Sequence, residues 1–164
     1  MTFGDVLAAV AALIGICISA WTTLVLFSLL FPGRAHQAAS AINRSAGNMA
    51  LRGFGIALVM TIGTIVLFGL HRPLPTVAAW IVLLAMLALA SLGGSGLALL
   101  AANRVKDHEP DLSFYAALMR GAALVVVPGL LPVFGWFLVG PAMLFVGVGA
   151  GMSALVLARP PAEA

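Results

Sequence analysis

Charge is what this chain has least of. Lysine and arginine together number eight and aspartate and glutamate five, so that 8% of its 164 residues are charged. A soluble domain carries about 25%. No water-facing surface can be built from so few charges, which excludes a soluble globular domain. Disorder is excluded as well, because it requires low hydrophobicity and 63% of these residues are hydrophobic. Cysteine occurs once, at Cys17, which rules out an internal disulfide and any CxxC metal site.

Long uncharged runs are what the chain has instead. Val6–Phe31, Gly53–Leu70, Thr76–Ala102 and Gly121–Ala158 contain no Asp, Glu, Lys, Arg or His, and mean hydropathy is +1.17. A bilayer core about 30 Å thick takes roughly 20 helical residues, so the first three runs each read as one transmembrane helix. They are too long and too little alternating for barrel strands. The expected class is an all-α integral membrane protein with a single domain over residues 1–164.

The fourth run is long for one helix and short for two. Pro128-Gly129-Leu130-Leu131-Pro132, Gly135-Trp136 and Gly140-Pro141 interrupt it, and proline breaks a helix interior. The sequence predicts a four-helix bundle with spans at about 6–31, 53–70, 76–102 and 136–158. The Pro/Gly-broken segment precedes the last of them. Short interfacial helices are predicted at about 34–44 and 112–127, the second capped by Asp111. A tight hairpin within Gly121–Ala158, giving five spans, is the alternative.

Orientation follows from the basic residues. Arg34, Arg44 and Arg52 occupy one loop, and Arg104, Lys106 and Arg120 another, whereas Arg72 and Arg159 stand apart. With four spans both longer loops are cytoplasmic and both termini lie outside; with five, Arg159 moves inside. Met1–Asp5 has no basic n-region, so the first helix is expected to be retained rather than cleaved. Arg34, Arg44 and Arg52 are candidate contacts for anionic lipid headgroups. The residues between them place Ala35, Ala38, Ala39 and Ile42 toward one side of a surface helix.

Small residues recur at helical spacing in every span, which lets helix backbones approach in lipid. They include Ala11, Gly15 and Ser19 in the first span and Gly147, Gly151, Ala154 and Ala158 in the last. The plain reading is packing within the bundle; the sharper one leaves a stripe over for a partner or a second copy, and Gly147 and Gly151 are the choice for it. An internal echo also occurs. Asn43-Arg44 leads to Arg52-Gly53 as Asn103-Arg104 leads to Arg120-Gly121, as a duplicated helical hairpin would.

Few residues offer chemistry. Transporters that move protons place a carboxylate or histidine within the membrane, and no span here contains one. Gly93-Gly94-Ser95-Gly96 has the look of an intramembrane serine site. Its hydroxyl needs a base within reach, and His108 is 13 residues on, about 20 Å along a helix. Asp107-His108-Glu109-Pro110-Asp111 reads as a solvated turn rather than a metal site. His36, His71 and His108 all fall in loops, with His71 on the opposite side in the four-span arrangement, which gives no haem pair. No cofactor, no catalytic residue and no nucleic-acid partner are expected.

Phe31-Pro32-Gly33-Arg34, Leu131-Pro132-Val133-Phe134-Gly135-Trp136 and Val146-Gly147-Val148-Gly149-Ala150 together resemble the polytopic membrane domain found beside, or fused to, bactofilin-type polymer-forming proteins of bacteria. That resemblance implies a multi-pass protein of the bacterial inner membrane that anchors or organises a partner. It carries over no ligand or catalytic residue. The expected function is a non-enzymatic scaffold, anchor or accessory subunit whose partners are membrane lipids and an integral membrane protein or a second copy. A small oligomeric transporter or channel built on residues 128–141 is the alternative.

Overall fold

A computed structural model describes residues 3–131 and 135–156. Every regular element among them is helical: α1 (Phe3–Leu30), α2 (Pro32–Gly69), α3 (Pro73–His108), α4 (Phe114–Val126) and α5 (Gly140–Val156). A 3-10 turn at Val127–Leu130 and a π turn at Gly135–Val139 stand between the last two. Residues 4–30, 32–69, 73–108 and 135–156 are each long and apolar enough to cross a membrane. Pro132, Val133 and Phe134 lie outside the described residues, as do Ala158 and Arg159.

The first expected loop is helix throughout. Pro32 interrupts α1, whose next turn would need its missing N–H. It also opens α2, because a proline in the first turn forfeits no hydrogen bond. The chain bends there while the Phe31 N–H still donates to the Phe27 carbonyl (3.0 Å) and the Ala35 N–H to the Phe31 carbonyl (2.9 Å). A second bend follows at Ser45 (φ −165°, ψ 81°). The stretch between the bends is a short helix of its own, and its buried residues are the predicted four, Ala35, Ala38, Ala39 and Ile42.

Protein, not the membrane surface, covers that face. Ala38 and Ile42 cluster with Leu92 of α3 and with Ala150 and Ala154 of α5, and Ala39 joins Ala98 and Leu99. The interfacial helix expected at 34–44 is therefore a packed member of the bundle. Its alanines explain the difference, since methyl-sized side chains admit two neighbouring backbones at once.

The helix expected at 112–127 runs from Phe114 to Val126 and packs on protein in the same way. Ser113 caps it rather than Asp111, its hydroxyl accepting from the Ala116 N–H at 3.3 Å. The short connection after His108 makes α4 an antiparallel neighbour of α3. Ala117, Leu118 and Ala122 are then buried with Ala98, Leu99 and Ala102. Pro128 ends regular α-helix, and Gly135 returns the chain so closely that a Cβ on it would fall on the Pro128 carbonyl.

The last candidate span runs antiparallel to the first half of α2. Residues that rise in α5 meet residues that fall in α2. Phe145 meets Gly53, Gly149 meets Met49 and Gly53, and the Ser153 hydroxyl donates to Met49 Sδ at 3.3 Å. Near the end of α5, Leu155 lines a cleft together with Phe31 and Arg34.

Candidate functional site

Close backbone contact is the chief work of the glycines. A Cβ on Gly93 would fall on the Gly147 backbone, one on Gly151 on the Leu89 carbonyl, and one on Gly149 on the Met49 carbonyl. On Gly147 it would stand 2.9 Å from the Ala90 oxygen, and on Gly96 2.8 Å from the Ala38 Cβ. Gly147, Gly151 and Ala154 are all buried. The stripe expected to serve a partner is occupied inside the chain, because α5 needs it to reach α2 and α3 together. The echoed glycines share one role, Gly53 admitting α5 and Gly121 admitting α3, where a Cβ would lie 2.5 Å from the Ala102 nitrogen.

The first helix is the exception. Within its most apolar window 6% of residues are buried, against 33% for the last candidate span. A Cβ on Gly15 would meet nothing within 4 Å, and Ala11, Gly15 and Ser19 are all exposed. One side-chain bond ties α1 to α4, from Trp21 Nε1 to the Met119 carbonyl at 3.0 Å. Sequence reasoning passed over Trp21. Its signal was an indole N–H within an apolar run, a donor that requires a partner.

Clefts open between the helices. One of about 470 Å³ is bounded by α1, α3, α4, the broken segment and α5, with Ser19, Thr23, Ser91, Gly129 and Gly140 among its walls. The remaining wall residues are apolar, and the Thr23 hydroxyl is already committed to the Ser19 carbonyl at 2.7 Å. A second, of about 210 Å³, lies between Cys17 and Trp21 of α1 and Ala123 to Leu130. A third, of about 400 Å³, carries Arg34.

The residues with chemical potential are dispersed. Ser95 is 1% exposed, and its hydroxyl donates to the Leu92 carbonyl at 2.6 Å. The Ser95 carbonyl accepts from the Ser28 hydroxyl at 3.4 Å. Those bonds tie α3 within itself and to α1. Glu109 pairs with Arg120 at 2.7 Å, both about half exposed, which closes the turn between α3 and α4. No three His, Cys, Asp or Glu residues among those described stand close enough to share a metal ion. Arg34, Arg44 and Arg52 are exposed.

Comparison with protein-family models, with curated proteins and with solved structures finds no match to this chain.

Proposed function

We propose that the chain is a non-enzymatic scaffold or accessory subunit of a bacterial inner-membrane complex, and that it receives an integral membrane partner or a second copy along α1. The observation that carries this reading is the contrast in packing. The small-residue stripe of α5 is used up within the chain, whereas Ala11, Gly15 and Ser19 lie open on the helix with the least support. Small residues exposed in lipid serve helix association. The resemblance to bactofilin-associated membrane domains points to the same role. Gly15→Leu tests it. Mass measured in mild detergent is expected to exceed the 16.8 kDa of one chain in the wild type and to fall to it in the variant. Gly55→Leu, at another glycine with nothing within 4 Å, is expected to leave the complex intact. A wild type that runs as a lone chain would sink the reading.

A proposed orientation accompanies it. A guanidinium is costly inside a bilayer, so Arg34 belongs at an interface, and the basic loops favour the cytoplasmic one. Leu155 shares its cleft, so the C-terminal end belongs there too. Residues 114–156 then form a hairpin turning at the break, as in the five-span alternative.

The 470 Å³ cleft favours one second reading, a transporter. Transport sites form where broken helices meet, and this cleft reaches the break at Gly129 and Gly140 and the hydroxyl of Ser91. A Ser91→Cys chain carrying Cys17→Ser separates the two. Labelling by a membrane-impermeant maleimide would mark an aqueous path, and the scaffold reading expects none.

A further inference from the structure

The third cleft joins an apolar trough to a single cation. Phe27, Phe31, Ala88, Leu92 and Leu155 are among its walls, Arg34 is its one charged wall residue among the described residues, and its volume is about 400 Å³. Ligand sites run from roughly 300 to 1,000 Å³, so the space suits a molecule rather than a water or two. The Arg34 guanidinium lies 5.9 Å from the centre of the Phe31 ring, within the range of a cation–π contact that orients it. It makes no ion pair among the described residues. An apolar trough with one guanidinium on its wall matches one ligand chemistry.

From these features we infer that the cleft binds one anionic glycerophospholipid, an acyl chain lying along Phe27, Leu92 and Leu155 and the phosphate on Arg34. Charge complementarity selects the occupant. A neutral chain would leave the guanidinium unpaired, and a free phosphate would leave the trough unfilled. The site is independent of the α1 surface proposed for a protein partner.

Native mass spectrometry of the full chain in mild detergent tests it, with phosphatidylglycerol as the probe. One bound lipid is expected. Diacylglycerol with the same chains and water-soluble glycerol phosphate are each expected to bind at least fivefold more weakly. Arg34→Gln should weaken phosphatidylglycerol about fivefold. Ala88→Trp, which fills the trough while leaving the cation, should weaken it as much or more. Arg104→Gln, which removes an exposed arginine outside the cleft, should change nothing. Thermal unfolding identifies any variant that fails to fold, and either of the two cleft variants suffices alone. Equal losses from Arg34→Gln and Arg104→Gln would mean general attraction to basic residues and would overturn the site. Binding of diacylglycerol as tight as that of phosphatidylglycerol, or displacement of the lipid by glycerol phosphate, would overturn it as well.

Discussion

One methyl group separates two kinds of glycine in this protein. Gly93, Gly149 and Gly151 lie against a neighbouring backbone, so an added Cβ has no flexible side chain to displace. Overpacking of this kind costs about 1–3 kcal/mol or more, and Gly151→Ala is expected to lower the unfolding temperature in detergent clearly. Gly55→Ala, with open space around it, should leave that temperature unchanged. Equal shifts would show that the α3–α5 seam is not where the bundle is tight. Ser95 illustrates the opposite case. Its buried hydroxyl is satisfied by its own helix at Leu92, so Ser95→Ala should cost less than about 1.5 kcal/mol and spare any cellular phenotype. Loss of that phenotype with normal abundance would reopen a nucleophilic role. Which glycines are tight was only partly legible. A run of small residues announces close packing, but it does not say whether the neighbour comes from the same chain.

Helix ends show what local sequence can decide. Both Asp111 and Ser113 are residue types that cap helices, and they stand two positions apart. The structure uses Ser113, leaving Asp111 in the preceding turn. Ser113→Ala is therefore expected to destabilise α4 by about 1 kcal/mol, read by thermal unfolding, whereas Asp111→Ala should have little effect. The reverse order would restore the earlier start at Leu112. The short helix between Phe31 and Ser45 was legible to the residue on its apolar face, because 3.6-residue periodicity marks Ala35, Ala38, Ala39 and Ile42 together. Periodicity is silent about what covers a face. A membrane surface and a second helix ask for the same apolar pattern, and the distinction came only from the placement of Ala150 and Ala154. The same limit applies to α4. The Pro128 break suggested an interfacial helix at 112–127, and periodicity could not say that α3 would cover Ala117, Leu118 and Ala122.

At the scale of the whole molecule, the apolar runs were enough for the class and for four candidate spans. The sequence left the break between a last span and a tight hairpin, because the path there depends on how closely Pro128, Gly129 and Gly135 approach and on long-range pairing of α5 with α2. Arg34 and Leu155 share one cleft, and the proposed orientation accordingly puts the C-terminal end on the membrane face that carries the basic loops. A reporter active only outside the cytoplasm, fused after Ala164, examines this directly. A fusion within Lys106–Asp111, cytoplasmic in either arrangement, provides the comparison. Both fusions are expected to be inactive, with the protein present in the membrane and a cytoplasm-active reporter functional at both sites. An active external reporter at the C-terminus would mean that the last helix crosses to the far side, and the shared face of Arg34 and Leu155 would have to be abandoned.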